Sequence, residues 1–344
     1  MGGLMRRPTI MDIAKAAGVS KGAVSYALNG RPGVSEKTRA RILGIAHDLG
    51  WAPNGPARAL SPGGRVGAFG LVVDRPASVL GVEPFFMRLV SGIETELVGR
   101  GVDLLLQVTA DMQAELSAYR RWSAERRVDG VLMVDLRMDD PRVAEVEALP
   151  LPAVVLGGPD GAGSLPYLWN DDASTMAEVV HYLAALGHRC AVHVAGPQGF
   201  MHTDVRTRAF LAAAEEAGLD RAEVINADYT GEEGTRLTRK LLARTDRPTA
   251  LVYDNDLMAV AGLGVAHEMG VDVPSQLSLV AWDDSVLCRL VRPPLTAVAR
   301  EIEAAGGMAA RMLSAVVEGE PVRGEESPRG ELRPRGSTGP VAHP

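Results

Sequence analysis

The chain has 344 residues, 46% hydrophobic and 23% charged, which is enough apolar material for two or three packed domains and too much for wholesale disorder. Its formal net charge of -7 hides a split: residues 1–65 carry ten basic and three acidic side chains, a balance of +7, and the remainder carries -14. A small cationic head on a larger anionic body points to an anionic partner at the N-terminus, and self-repulsion elsewhere favours solubility.

Residues 8–50 read as three short helices. Thr9 and Asp12 have capping-box spacing, and Ile10, Ile13, Ala14 and Ala17 form one apolar stripe. Gly18 permits the left-handed turn that ends this helix, and Ser20 offers its hydroxyl as the next N-cap. In the second helix Val24, Ala27 and Leu28 face inward, leaving Lys21, Gly22, Ser25 and Tyr26 outward. Helix, glycine turn, helix is the arrangement that lets a second helix enter the DNA major groove. A third helix starts at Ser35, packs through Ile42, Ile45, Ala46 and Leu49 and stops at Gly50; Lys37, Arg39 and Arg41 on it read as phosphate contacts. Residues 53–64 are rich in Pro and Gly and hold one potential helical turn capped by Asn54, compatible with a linker or with a hinge that becomes helical on binding.

From Val66 the pattern changes to apolar strands, expected at 66–73, 102–108, 128–134, 153–156, 190–194, 250–253 and 277–282. Amphipathic helices are expected near 85–99, 113–126, 174–186, 207–217, 232–243, 256–269 and 300–318. Such alternation gives parallel sheets covered on both faces, and roughly 260 residues suit two doubly wound lobes with a cleft between them. The last stretch holds an edge strand around Leu332 or is simply a tail. The expected division is therefore a helix-turn-helix domain at 8–52, a hinge and linker at 53–64, an α/β core at 65–338 and a tail at 339–344.

Cys190 and Cys288, the only cysteines, are too few for a disulfide framework or a structural zinc site and read as buried thiols in a reducing compartment. The N-terminus MGGLMRRPTIMD lacks the apolar stretch of a secretory signal, and no apolar run approaches the ~20 residues that span a bilayer. A soluble cytoplasmic protein without a membrane partner is expected.

Ligands of open α/β sheets sit beyond the carboxyl ends of the strands, where this sequence repeatedly places aspartates: Asp74, Asp135, Asp254, Asp256, Asp283 and Asp284. Carboxylates there accept hydrogen bonds from sugar hydroxyls or from the NH groups of a base. Asp256 reads as a helix N-cap and Asp284 as solvated, whereas Asp283 lies beside Trp282, a stacking face or plain core. Catalytic readings fare badly. Adjacent Asp283 and Asp284 diverge too much to flank a scissile bond, and His188 and His193 lack a companion to complete a metal set. No phosphate-cradling loop exists, and GLGVAH at 262–267 falls inside a helix; neither enzyme activity, cofactor nor metal is expected. A secreted solute receptor with the same core would leave the basic head unexplained.

The segment TIMDIAKAAGVSKGAVSYALN at 9–29, followed by VSEKTRARI and PNGPARALS, resembles the head of the lac repressor family of bacterial transcription regulators, the galactose repressor included. Further on, EPFFMRLVSGIE, YLAALGH, DVRTRAF, YDNDLMAVAGL, PSQLSLVAWDD and RPPLTAV follow in the family's order and spacing, so the resemblance covers residues 8–338. It implies a homodimer, or a dimer of dimers, binding operator DNA through paired heads while a periplasmic-binding-protein-like core senses a small molecule, commonly a carbohydrate. The DNA-facing set it implies is Thr9, Ser20, Lys21, Gly22, Ser25, Tyr26 and Asn29, with Lys37 and Arg39 on phosphates. Ala23 and Tyr26 replace the usual Thr and Arg of that helix, which alters the expected base contacts. Asn54, Ala57, Arg58 and Leu60 match a hinge helix whose leucine wedges into the minor groove and kinks the duplex. For the effector the resemblance implies Arg206, Asp283 and Asn255; Asp74, Trp169 and Trp282 complete the expected set. The loop from Asp74 to Phe85 is several residues longer than the family's usual one.

Overall fold

The computed structural model describes residues 8–28, 30–51, 64–75 and 80–341, and the chain divides at Val66 into a head and a core. The hinge expected at 53–64 lies almost wholly outside the described residues, as do Asn29, Asn54, Ala57, Arg58 and Leu60.

In the head, the Thr9 hydroxyl accepts from the Asp12 amide while the Asp12 carboxylate receives the Thr9 amide, the reciprocal pair that starts α1, Ile10–Ala17. Gly18, at φ 64°, ends α1, and the Ser20 hydroxyl accepts from the Ala23 amide at 3.1 Å as α2, Lys21–Leu28, begins. The third helix, α3, spans Glu36–Asp48 behind the Ser35 cap. Ile13, Val24 and Ile42 are fully buried at the centre of this bundle, ringed by small alanines that let the helices approach closely. Leu49, expected to pack inward, is instead 41% exposed; Trp51 covers that edge of the core.

The core is built from strands β1 (Ala68–Asp74), β2 (Asp103–Thr109), β3 (Gly130–Met133), β4 (Ala153–Leu156), β5 (Tyr167–Trp169), β6 (Cys190–Ala195), β7 (Arg221–Asn226), β8 (Ala250–Tyr253), β9 (Ser278–Trp282), β10 (Thr296–Ala299), β11 (Glu325–Glu326) and β12 (Glu331–Arg333). Its helices are α4 (Pro84–Val98), α5 (Met112–Glu125), α6 (Pro141–Ala148), α7 (Asp172–Ala185), α8 (Met201–Glu216), α9 (Gly231–Leu242), α10 (Asp256–Glu268), α11 (Val286–Leu290) and α12 (Ile302–Glu318). Two sheets form, in the orders β11-β5-β4-β3-β1-β2 and β12-β10-β9-β8-β6-β7, parallel throughout except for β12 against β10. The first lobe is encoded by β1 to β5 and the second by β6 to β10. The chain then returns, α12 and β11 completing the first lobe and β12 the second. Three segments therefore cross between the lobes, after β5, after β10 and after β11.

Helices α4 and α12 approach so closely that side chains are excluded. A Cβ on Gly92 would lie 1.9 Å from the Glu303 carbonyl oxygen, and one on Gly306 would lie 2.4 Å from that of Leu89. Both obstacles are backbone, so neither can swing aside. Gly92→Ala is expected to destabilise the core by about 2–3 kcal/mol and lower its melting temperature by roughly 5–10 °C, measured by thermal denaturation; an unchanged melt would show that the helices separate freely.

The expected boundaries shift most where a segment faces something other than core. Helix α8 begins at Met201 and not at 207, because its first turn directs Met201, His202, Val205 and Arg206 toward a cavity and so lacks apolar periodicity. The 339–344 tail is partly core: Gly339 donates to the Ser278 hydroxyl at 3.2 Å and Val341 to the Leu186 carbonyl at 3.1 Å. Cys288 is buried as expected, but Cys190 is half-buried, its sulfur 3.0 Å from Arg221 Nε.

Candidate functional site

On the head, α2 presents Lys21 and Gly22 fully to the outside, with Tyr26 45% exposed and Ser25 half-buried. Among the described residues only the Ser20 hydroxyl, at 3.8 Å, approaches the space a Cβ on Gly22 would take, so another molecule's backbone can come close there. Lys37 is exposed, as a phosphate contact requires. Arg39 is different. Its guanidinium donates to the carbonyls of Tyr26 (3.3 Å), Ala27 (3.1 Å) and Arg31 (2.8 Å), closing the C-terminus of α2. The Tyr26 and Ala27 carbonyls also receive the amides of Arg31 (3.0 Å) and Gly30 (3.4 Å), so Arg39 reinforces a helix end that the backbone already closes and ties it to α3. Thr9 and Ser20 likewise hold helix starts.

In the core, the carboxyl ends of both sheets face a cavity of about 330 Å³ between the lobes, a size suited to a small molecule. Three non-glycine residues at strand ends take left-handed backbone conformations around it: Asp135 (φ 53°) after β3, Tyr229 (φ 69°) beyond β7 and Asp283 (φ 64°) after β9. Such angles are costly for a tyrosine above all, and they aim these side chains sideways into the cleft. The Asp135 turn is held from below by Arg142, which donates to the Asp135 carbonyl at 2.7 Å and is itself buried against Asp140 and Glu115.

Arg206 lines the cavity, almost wholly buried. Its Nε donates to Asp172 at 2.6 Å, its Nη1 lies 3.5 Å from Asp254, and its guanidinium stacks 4.4 Å from the centroid of Trp282. Asp254 is held further by His193 Nε2 (3.0 Å) and the Gly196 amide (2.8 Å); although burial opposes its charge, these partners keep its carboxyl well below the usual range. Asp283 faces the cavity with Arg300 Nε at 2.6 Å. His202 is pushed down to about 4 by burial and by the nearby Arg206, so it is neutral, and it shares a 2.7 Å hydrogen bond with Tyr229 Oη. From the first lobe, Arg75 reaches Asp135 at 2.8 Å and lies over the rings of Phe200 (4.9 Å), Tyr229 (5.5 Å) and Phe86 (5.6 Å).

Of the six expected effector residues, Arg206, Asp283, Asn255 and Trp169 line this cavity. Asn255 is also the N-cap of α10, accepting from the Met258 amide and donating to the Tyr229 carbonyl; the cap expected at Asp256 sits one residue earlier. Trp282 is corrected: it is fully buried in the second lobe, a floor under Arg206 and no cavity wall. Asp74 is corrected too, being engaged by Arg137 at 2.5 Å away from the lining. Asp284 is not solvated but gripped by both Nη atoms of Arg335. Arg75, Glu83, Tyr229, His202 and Arg300 were not expected. Only Tyr229, an aromatic just before a turn, carries a sequence signal; the others are polar residues in loops and helix starts.

A three-helix head with an exposed recognition helix, joined in one chain to two parallel-sheet lobes enclosing a small-molecule cavity, defines a DNA-binding regulator with a sensor core. The sequence pattern of the bacterial regulatory proteins of the lacI family matches residues 9–54, and that of the periplasmic binding protein-like domain matches residues 180–338. The regulator CelR of Thermobifida fusca is 32% identical over 325 residues, spanning 92% of this chain and 95% of CelR. A LacI family regulator from Bifidobacterium animalis subsp. lactis is 36% identical in its crystal structure, with a TM-score of 0.75 over 81% of this chain and 100% of that one. A lac repressor dimer bound to operator, at 24% identity, shares the fold with a TM-score of 0.85 over 98% of this chain and 100% of that one. The chain belongs to the LacI family of bacterial transcription regulators, and it is a DNA-binding protein and not an enzyme.

Proposed function

We propose that this regulator is a repressor that binds its operator as a homodimer and changes its affinity when a carbohydrate occupies the cleft between the lobes of its core. The observation that carries this is the cavity itself: carboxylates held in fixed positions by arginines, beside Trp169, supply the directed acceptors and the flat apolar face that a sugar ring needs. A structure of CelR in complex with cellobiose, 30% identical with a TM-score of 0.73 over 96% of this chain and 100% of that one, supports the reading. Lys21, Gly22, Ser25, Tyr26 and Asn29 would read bases, Lys37 would position the head on phosphates, and Leu60 of each hinge would wedge the central step. Arg206, Asp283, Asn255 and Trp169 would hold the sugar. Closure of the lobes on it shifts the balance of hinge conformations, so sugar affinity and operator affinity are coupled reciprocally. As a DNA-binding regulator it works in the cytoplasm.

The test is fluorescence anisotropy on the DNA upstream of its own gene, with cellobiose, maltose, glucose and galactose as first probes. The full chain is expected to bind tightly, in the ~10–100 nM range or better, and removal of residues 1–65 to abolish binding. One of the sugars should shift operator affinity at least tenfold, roughly 1.4 kcal/mol of coupling. Retention of specific binding without the head would sink the DNA assignment, and indifference to every neutral sugar would sink the carbohydrate assignment.

A further inference from the structure

Tyr26 is 45% exposed, and its hydroxyl has no hydrogen-bond partner among the described residues. Its ring is nonetheless seated. It lies against Gly33 in the loop that joins α2 to α3: a Cβ on Gly33 would come 3.0 Å from Tyr26 Cδ2 and 3.3 Å from Cε2. Apart from Gly33's own chain neighbours, no other atom of the described residues lies within 4 Å of that Cβ. The φ of Gly33 is 119°, which residues with a side chain rarely adopt, so space and backbone both reserve the position for glycine. The loop is not free to back away from the ring. The Arg31 amide donates to the Tyr26 carbonyl at 3.0 Å and Arg39 to the Arg31 carbonyl at 2.8 Å; Val34 packs on the core of the head, and the Ser35 hydroxyl caps α3. The neighbour with room to move is the ring, which is open to solvent on its other side.

We propose that Gly33 determines operator specificity through Tyr26: by leaving its Cβ position empty it seats the tyrosine ring and fixes the direction from which the hydroxyl meets a base edge. The inference rests on the reading of Tyr26 as a base contact and deepens it. Gly33 is a positioning residue, in the loop and outside the helix that enters the groove. Seating matters because a phenolic hydroxyl donates equally well to guanine O6, to a purine N7 and to thymine O4. Only the depth and angle of the ring decide which of these it reaches. A tyrosine that turned freely would bond to whichever acceptor came near and would lose rotamer freedom in doing so. Seated on Gly33, the ring has given up part of that freedom before DNA arrives.

A methyl group at position 33 has two separable effects. It strains the backbone, which destabilises the head and weakens binding to every sequence alike. It also pushes the ring outward or into another rotamer, which changes the ranking of sequences at the base pair that Tyr26 reads. Because the added methyl meets Tyr26 and no other side chain among the described residues, preferences set by Lys21 and by the rest of α2 stay as they are.

Selection of bound sequences from a randomised duplex library tests this, with the full chain and with its Tyr26→Ala, Gly33→Ala and doubly substituted variants. All are assayed below the lowest melting temperature of the set, as circular dichroism gives it. Tyr26→Ala should flatten the preference at one base pair of each half-site by about fivefold or more. Gly33→Ala should change the preference at that same base pair by about threefold or more and leave the other positions as in the parent. In the Tyr26→Ala background, Gly33→Ala should alter no preference further. Gly33→Asn, which carries the same Cβ and tolerates positive φ better, replaces the alanine variant if that head does not fold. Weaker binding shared equally by all sequences would reduce Gly33 to a structural turn and overturn the proposal. An equal change of preference with and without Tyr26 would overturn it as well. If Tyr26→Ala leaves every preference intact, the base contact and its seat fall together, whereas a parent that enriches no sequence would remove the operator reading itself.

Discussion

Replacing Arg206 with alanine should cost the core roughly 3–5 kcal/mol, because two carboxylates would be left buried with no cation between them. Arg206 is 3% exposed, its Nε meets Asp172 at 2.6 Å, and its guanidinium approaches Asp254 and covers Trp282. Removing it leaves Asp172 with only the Asn170 side-chain amide on one side and Asp254 with His193 and one backbone amide on the other. Urea denaturation followed by tryptophan fluorescence should show a lower midpoint and, from loss of the ring contact, altered native emission. Arg206→Lys should recover only part of the loss, since a single ammonium cannot span both carboxylates while lying flat on the indole. A midpoint equal to the parent's would mean that the ion network is decorative. In the double variant Arg206→Ala with Asp172→Asn, one stranded charge is gone, so the cost should be markedly smaller than for Arg206→Ala alone.

The second large effect is expected in the head, at a residue that the sequence reads as a phosphate contact and that the structure shows bonded to backbone carbonyls. If Arg39 closes α2 through three carbonyls, Arg39→Ala should lower head stability by about 1.5–3 kcal/mol, enough to unfold much of so small a bundle. Operator binding would then fall steeply with temperature and recover on cooling. Arg39→Lys, which keeps the charge but not the reach of the planar fork, should behave almost like alanine. Lys37→Ala is the control: the head should melt normally, while the log-log salt dependence of DNA binding should shrink by about 0.9. The measurements are circular dichroism melts of the full chain and anisotropy across a salt series. Should Arg39→Lys bind and melt like the parent, Arg39 would be restored to the phosphate contacts.

Arg39 shows where sequence reasoning stops. The head's pattern was legible because its rules are local: a capping box three residues long, a glycine that must be left-handed, and apolar positions one helical face apart. The partners of Arg39 lie eight to thirteen residues away and are backbone carbonyls, which leave no trace in side-chain spacing. In the core, long apolar strands such as β1 and β9 announced themselves, whereas β7, half-buried along its whole length at the sheet edge, and β5, three residues long, did not. For the cleft, the rule that ligands gather beyond strand ends located Asp283 and Asn255 at the cavity. It also overreached at Asp74, since nothing in the sequence says that Arg137 will turn back to engage that carboxylate. Trp282 fails for a related reason: side chains alternate across a strand, and burial on the far side of the sheet is decided by the helices that cover it.

The return of the chain to its first lobe has a consequence for biosynthesis. The sheet of that lobe is largely translated by Trp169, yet the helix that seals one face, α12, begins only at Ile302 and its last strand ends at Glu326. At about 5–20 residues per second, the ribosome takes roughly 7–30 s to supply α12 after β5 has emerged. Meanwhile the apolar cluster of Phe69, Leu71 and Ile93 is covered only in part, by α4, and the second lobe, whose five parallel strands are complete by Ala299, still lacks β12. Both lobes therefore wait for the segment 302–341, the first for α12 and β11 and the second for β12 and the stretch through Val341 that bonds to Ser278 and Leu186.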